Sequence, residues 1–331
     1  MIKFDENAQL GSVEGALALR PAIEEVVDGL CDRGYDLLCY LGIGGTWASG
    51  LQAESHVKQL SAIPVCVENA AQFTTTGNRR ITDRTVVVIS SVTGNTPEMV
   101  AAVQEVEKLG ATVIGFVDAP GTPLADLSTT CISRPGNEQL KFFMVADRFM
   151  RNAGHFEAYD DYYAQLDAHL ARALVDVEKA ADEFGAAFAR DHHEDPVHYF
   201  VAAGTQHGST YSYAMCYWEE QHWLRSKSIH AAEFLHGTLE VVDRDTNVTV
   251  FLGEDAERPL AERVARFLPR ISANVTLIDS RDYALDGISP QYRGFLSHLV
   301  THAVTQRIDA HVEHLNRHPM DIRRYYRALP Y

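Results

Sequence analysis

Two groups of residues in this 331-residue chain have types and spacings suited to chemistry. The first is the run Ser90-Ser91-Val92-Thr93-Gly94-Asn95-Thr96-Pro97. Hydroxyls on Ser91, Thr93 and Thr96 can donate to an oxyanion, and Gly94 permits close approach of the backbone. Pro97 suits the first position of a helix, whose exposed N–H groups and positive dipole end supply the rest of an anion site. The second group is Glu220 and His236, 16 residues apart. On a helix starting near Thr210, Glu220 shares a face with Tyr213, Cys216, Tyr217 and Trp223. Burial among these rings would favour the neutral acid, as a proton shuttle requires. Glu219, turned about 100° away on a helix, is expected in solvent. Taken alone, a Glu on an aromatic face and a His before a glycine are more often structural than catalytic.

The elements that must position these residues alternate between helical periods and short apolar runs, the pattern of layered α/β architecture with parallel sheets. A helix is expected over Glu14 to Arg33 with Gly34 as its cap, then a buried strand from Leu37 to Gly42, a glycine-rich turn and a helix to about Leu60. Strands follow at Pro64 to Val67, Thr85 to Ser90 and Thr112 to Val117, with an amphipathic helix from Pro97 to Leu109. Residues 120–160 are less regular, and a long helical stretch covers Tyr163 to Arg190. DHHEDP, Asp191 to Pro196, reads as a surface turn rather than a metal tract.

The plan then repeats. Val197 to Ala202, the turn AGTQHGS and the helix after it mirror Leu37 to Gly42 and GIGGTWAS at an offset of 160 residues, and Asn247 to Asp279 mirrors Arg84 to Asp118 at 162. Two agreeing offsets indicate an internal duplication: residues 1–160 as one α/β domain with the anion loops, and 161–331 as a second with Glu220 and His236. The copies differ where it matters. The counterpart of the hydroxylated loop is Gly253-Glu254-Asp255-Ala256-Glu257-Arg258-Pro259, where three carboxylates would repel a phosphate. A polar helix cap alone does not need so many hydroxyls, and only the first copy has them.

Other motifs are weaker. The turn Gly42-Ile43-Gly44-Gly45-Thr46-Trp47 ends the first strand, where parallel sheets place ligands, but Trp47 spoils a dinucleotide fingerprint. Glu68 imitates the ribose-binding acid of such enzymes. No GK[ST] follows any glycine loop, which argues against triphosphate hydrolysis. His311 and His314 have a metal-like spacing without a third ligand, and a solvated helix face explains them better. His230, Glu233 and His236 do not form HExxH. His207 and Lys227 are candidates for substrate contact.

The duplicated plan, the SSVTGNT loop and the Ala231-Ala232-Glu233-Phe234-Leu235-His236-Gly237 segment together resemble the double sugar isomerase (SIS) domain family. That family includes the isomerase half of glucosamine-6-phosphate synthase and the fructosamine-6-phosphate deglycases. The resemblance implies two tandem three-layer αβα, flavodoxin-like domains with parallel sheets. Ser91, Thr93, Gly94, Asn95 and Thr96 fall on the family's SQSGET-like phosphate loop, with Val92 and Asn95 replacing its glutamine and glutamate. Gly45 and Thr46 fall on its GTS-like turn. Glu220 and His236 fall on its catalytic Glu and His, with Thr238 where a proline is common.

The chain begins at the sugar domain without a glutaminase half, and no lysine follows Lys227 to form the synthase's Schiff base. The segment Asn316 to Tyr326 and the run Cys216 to Gln221 look like the deglycase branch. The expectation is therefore an enzyme without cofactor or metal that cleaves a phosphorylated sugar-amine. It would be a homodimer whose subunits share the active site, with His236 reaching the neighbour. An aldose-ketose or amino-sugar phosphate isomerase, or a non-catalytic sugar-phosphate sensor, are the alternatives.

Composition sets the outer bounds. Apolar residues make up 46% and charged residues 22%, which suits globular folding, and the net charge of −16 is unsuited to tracking nucleic-acid phosphates. No membrane-length apolar run or signal peptide is evident. The five scattered cysteines, odd in number and lacking a CxxC pair, fit a reducing cytoplasm.

Overall fold

The structure, a computed structural model, describes residues 1–330. It divides into two compact units, Asn7–Ala171 and Met1–Glu6 with Arg172–Tyr331. The boundary expected between 160 and 161 thus falls about one helix later. The stretch expected as one helix is built from Tyr159–Gln165, a π-helical turn Leu166–Leu170 and Ala171–His192. Its first part stays with the first unit because Tyr159, Tyr162 and Tyr163 are buried there in an aromatic cluster. The extreme N-terminus joins the other unit, where Lys3 pairs with Glu313 and Arg307 donates to the carbonyl of Ile2 at 2.7 Å.

In the first unit β1 (Leu37–Gly42), β2 (Val65–Asn69), β3 (Thr85–Ser91), β4 (Thr112–Val117) and β5 (Thr130–Ile132) form a parallel sheet in the order β2-β1-β3-β4-β5. Every residue of β1 is buried, as its continuous apolar run requires of a strand covered on both faces. Val87 and Ile89 of β3 pack with Met99, Val103 and Val106 of the helix Pro97–Lys108 on one side of the sheet. The short strand β5 and the helix Pro123–Leu127 were not legible in the sequence. The helix expected over Glu14 to Arg33 is two, Glu6–Leu17 and Arg20–Arg33, because Pro21 cannot donate to a preceding turn. Gly34 caps the second at φ 80°.

The second unit repeats the plan with β6 (His198–Ala202), β7 (Ser226–His230), β8 (Asn247–Leu252) and β9 (Val275–Asp279), all parallel in the order β7-β6-β8-β9. Strand for strand this is the first sheet without its last member. Gly44 at φ 62°, ψ −128° and Gly204 at φ 60°, ψ −140° end the first loop of each copy in the same conformation, one open to residues lacking a Cβ. The second loop has the same length in both copies, since Ser91 and Pro97 correspond to Gly253 and Pro259 at the offset of 162. Among the described residues no helix is long and apolar enough to cross a membrane.

DHHEDP is a turn with Asp191, Glu194 and Pro196 exposed, as expected, but it turns His192 inward. His192 and His198 are buried, and both ring Nδ1 atoms meet one oxygen of Asp195, at 2.9 and 2.8 Å. Phe188, Phe200 and Trp218 pack around His198, and this burial pulls its pKa down to about 4. The aromatic shell comes from the preceding helix (Phe188), from β6 itself (Phe200) and from Trp218. His311 and Glu313 are not a solvated face either. His311 meets Asp182 at 3.0 Å, and Glu313 pairs with Lys3.

Candidate active site

In a sheet ordered β2-β1-β3-β4-β5 the connections leave β1 and β3 in opposite directions, opening a crevice beyond the carboxyl ends of these two strands. Both anion loops expected from the sequence lie there. Gly45 and Thr46 open the helix Gly45–Leu60 after β1, and Ser91 to Thr96 lead from β3 into the helix Pro97–Lys108. The loops lie side by side because β1 pairs with β3 in parallel register, and Thr46 Oγ1 lies 3.5 Å from the carbonyl of Ser90.

The hydroxylated loop is held from below. The Gly94 N–H donates to Ser91 Oγ at 2.9 Å, and the Gly94 carbonyl accepts from Leu124 at 3.0 Å. Gly94 itself is at φ 67°, and a Cβ there would stand 2.0 Å from Thr122 Oγ1. Only glycine allows this approach. Thr93 and Thr96 are half-buried, and Asn95 and Val92 are exposed.

Sequence reasoning missed two charged neighbours of these loops, both on the helix Glu138–Asn152. Glu138 Oε2 accepts the Thr46 hydroxyl at 2.9 Å. One turn on, Lys141 is 1% exposed, donates to the carbonyl of Arg134 at 2.9 Å and lies 3.6 Å from Asp118 Oδ1. Burial lowers the Lys141 pKa and raises that of Asp118. The strand end bearing Asp118 is tied to the anion loop, since the Asp118 N–H donates to the carbonyl of Ser91 at 3.0 Å. The Gly136-Asn137-Glu138 turn before an amphipathic run was the available signal, but nothing in the letters places it against Thr46.

In the second unit the same crevice is filled by the protein itself. Asp255 stands four residues before Pro259, as Thr93 stands four before Pro97. Its carboxylate accepts from the Thr205 N–H and the Thr205 hydroxyl, each at 2.9 Å, and from the Glu257 N–H at 3.0 Å. The Gly204 N–H donates to Glu257 at 3.1 Å. The start of the helix Thr205–Ser212 therefore holds an internal anion, and the first copy's loops carry hydroxyls in place of these acids. To the repulsion expected there the structure adds an internal carboxylate at the helix start.

Glu220 lies in this second unit, just after an α-helix that widens into a π-helical segment, Tyr213–Glu219. Such segments are uncommon and recur at functional sites. This one changes which residues face inward. Trp218 is fully buried, and Trp223 has left the helix at φ 59°. Glu220 is half-buried and ion-paired with Arg323, Nε to Oε1 at 2.8 Å, so the enclosed apolar setting expected for it is not met. Glu219 is exposed, as expected.

The turn bearing Glu220 is pinned by a buried network, in which Asp309 on the helix Arg293–Asn316 meets His222 at 2.9 Å and the Tyr213 hydroxyl at 3.2 Å. His236 is exposed after the short helix Ala231–Phe234, and among the described residues no hydrogen bond joins it to Glu220. His207 stacks edge-on with His230 at 4.7 Å, and Lys227 is exposed on β7.

Known proteins resemble this chain in sequence and in fold. The SIS domain family matches residues 37–146, which hold both anion loops and β1 to β4. The fructosamine deglycase FrlB of Bacillus subtilis is 28% identical over 274 residues, covering 80% of this chain and 82% of that protein. The fructoselysine 6-phosphate deglycase of Escherichia coli K12 is 25% identical over 316 residues, covering 93% and 91%. A Bacillus subtilis crystal structure assigned as a phosphosugar isomerase superposes with a TM-score of 0.89 at 24% identity, over 96% of this chain and 99% of its own. The C-terminal domain of glucosamine-fructose-6-phosphate aminotransferase from Francisella tularensis has the same fold at a TM-score of 0.80 and 12% identity, over 96% of each chain. Residues 37–146 thus match the SIS domain family, the second half repeats the same strand order, and the chain resembles the fructosamine deglycases along most of its length.

Proposed function

We infer that this protein is a sugar-phosphate enzyme that cleaves a ketosamine (Amadori) 6-phosphate, releasing glucose 6-phosphate and a free amine. The observation that carries this reading is the contrast between the copies. One crevice offers hydroxyls and helix-start amides, and the other is filled by Asp255. Ser91, Thr93, Gly94, Asn95 and Thr96, with Gly45 and Thr46, hold the phosphate, which positions C1 and C2 of the opened sugar. Thr46 contributes its backbone N–H, since its hydroxyl donates to Glu138. His236 moves the proton that opens the ring. Glu220 takes the C1 proton and the electron pair forms a C1–C2 double bond, while the C2 carbonyl π bond breaks onto its oxygen, which takes up a proton. Protonation of this enaminol at C2, with the nitrogen lone pair closing C1=N, leaves an imine at C1. Water adds to that imine and the amine departs. Arg323 fixes which oxygen of Glu220 faces the reacting carbon.

The chemistry needs neither metal nor cofactor. We further propose a cytoplasmic homodimer in which His236 serves the neighbouring subunit. An aldose-ketose isomerase would use the same proton transfer without releasing an amine.

The test is a set of 6-phosphorylated ketosamines with coupled detection of glucose 6-phosphate. Glu220→Gln should lose about 1,000-fold or more in kcat, a general acid–base share of the rate, while calorimetric binding of the substrate stays within about threefold. Normal turnover by this variant removes Glu220 from the mechanism. Isomerisation of a hexose phosphate with no amine release selects the isomerase instead.

A further inference from the structure

Each copy buries one aspartate against one histidine and one tyrosine. Asp147 on the helix Glu138–Asn152 and Asp309 on the helix Arg293–Asn316 stand 162 residues apart, the offset that relates the two copies of the anion-loop segment. Asp147 Oδ1 meets His56 Nε2 at 2.7 Å, and its other oxygen accepts the Tyr163 hydroxyl at 2.6 Å. Asp309 Oδ1 meets His222 Nε2 at 2.9 Å and accepts the Tyr213 hydroxyl at 3.2 Å. All six side chains are buried. In both copies the histidine belongs to the segment after the first strand, β1 or β6, so the pair ties that segment to the copy's later helix.

The aspartates correspond, but the histidines do not. At the offset of 160 His56 would fall on Cys216, and His222 stands six residues further on. His56 lies inside the regular helix Gly45–Leu60, whose own hydrogen bonds hold its backbone. His222 lies past the π-helical segment Tyr213–Glu219, in a turn built on long-reaching bonds. The Glu220 N–H reaches the carbonyl of Met215, five residues back, at 3.0 Å, and the His222 N–H reaches that of Tyr217 at 2.9 Å. Such widened turns are rare and recur at functional sites, and here no further helical turn follows, since Trp223 leaves at φ 59°. The Glu220 carboxylate is held by Arg323 in an ion pair whose side chains are 25% and 31% exposed, and a pair so open to water fixes a carboxylate weakly. The buried pair two residues on fixes the backbone from which Glu220 projects.

We propose that Asp309 and His222 are positioning residues for Glu220: they set where the proton shuttle stands, whereas Asp147 and His56 in the other copy hold the fold. This rests on the deglycase reading and deepens it. A displacement of about 1 Å at a reacting group can cost about 100-fold in rate, so a side chain that touches no substrate can still govern turnover.

The test sets His222→Leu against His56→Leu, in which a buried histidine is removed from its aspartate in one copy or the other. Both should lower the urea midpoint. His222→Leu should lose about 10- to 100-fold in kcat on a ketosamine 6-phosphate with KM within about threefold, because the phosphate loops belong to the other copy. His56→Leu should keep kcat within about threefold. His222→Gln, whose amide can replace the Nε2 donor, should recover most of the rate, and Asp309→Asn gives a milder loss of the same kind if the leucine variant does not fold. In a Glu220→Gln background the further loss from His222→Leu should disappear, since a positioning residue acts only through the group it positions. Multiplying losses in that double variant, or an equal kcat loss in His56→Leu, overturns the proposal. Deuterium exchange of the Tyr217–Leu224 amides reads the pinning without substrate: faster exchange there in His222→Leu, with the first copy unchanged, supports it, and unchanged exchange overturns it. If Glu220→Gln is inactive while His222→Leu turns over normally, this proposal alone fails. If Glu220→Gln turns over normally, the proton-shuttle reading fails and this proposal with it.

Discussion

Replacing Thr93 with aspartate should turn the working copy into its silent sister. The second repeat shows the outcome, since Asp255 four residues before Pro259 fills the helix start with two 2.9 Å hydrogen bonds to Thr205. A phosphate near −2 facing a new −1 at about 5 Å is opposed by about 6 kcal/mol at an effective dielectric of ~20. The loop is half open to solvent, so about 2–3 kcal/mol survives screening, a loss of about 30- to 150-fold in sugar-phosphate affinity. Thr93→Val, which removes only the hydroxyl, should cost about tenfold, and Thr93→Ser almost nothing. Folding stability moves the other way. An aspartate at a helix start is favourable by about 0.3–1 kcal/mol, so the denaturation midpoint of Thr93→Asp should hold or rise. Titration calorimetry with a hexose 6-phosphate and urea denaturation of the same samples read both arms. Binding within threefold of wild type by Thr93→Asp, or an equal loss in Thr93→Ser, would refute the cradle.

Two further outcomes concern stability. Glu178 is 5% exposed, and burial raises its pKa to about 7. A carboxyl whose folded pKa exceeds its unfolded value retains its proton longer in the native state, so the chain loses stability as pH rises from about 4.5 through about 7. Glu178→Gln should remove that slope, its advantage over wild type growing to about 2–3 kcal/mol by pH 8 in urea midpoints; a constant difference from pH 5 to 8 contradicts the assignment. Asp195→Asn replaces the single oxygen that serves His192 and His198 in the aromatic pocket, and should destabilise by about 2–4 kcal/mol. A loss below about 1 kcal/mol would mean that these histidines do not need the carboxylate.

How much of this was legible in the letters follows from the range of the forces involved. Strands such as Thr85–Ser91 declare themselves because a doubly covered strand must be apolar throughout, and the duplication appears in the offsets before any coordinate. The anion loops are legible because hydroxyls, glycine and proline act on their own backbone within a few residues. Glu138 and Lys141 were not, since their roles depend on a helix returning to the ends of β1 and β4 from 92 residues away in one case and 23 in the other. Glu220 was found, but its surroundings were misjudged. The face calculated at 100° per residue assumes an α-helix, and the π-helical segment Tyr213–Glu219 rotates Trp218 into the core and delivers Glu220 to Arg323.

The two copies divide one fold's tasks by a change of charge at one place. A helix start beside a switch point attracts anions whether or not the protein has a use for them, because its N–H groups lack partners. The second copy satisfies that demand internally with Asp255 and Glu257, and Glu254 is itself tied by Arg293 at 2.8 Å and by Ser280 at 3.3 Å. Its loop is thereby removed from ligand binding, and the segment after its first helix is left to carry Glu220 and His236. The first copy keeps its helix start lined with hydroxyls, and in the function proposed above these receive a phosphate. Restoring the second crevice with Asp255→Thr should therefore leave the Thr205 and Glu257 amides seeking a partner and destabilise that unit by about 1–2 kcal/mol. Inorganic phosphate in the millimolar range should recover part of that loss in a urea titration, while the wild-type unit gains nothing through this crevice. Full stability of the variant without phosphate would show that Asp255 is not what satisfies the helix.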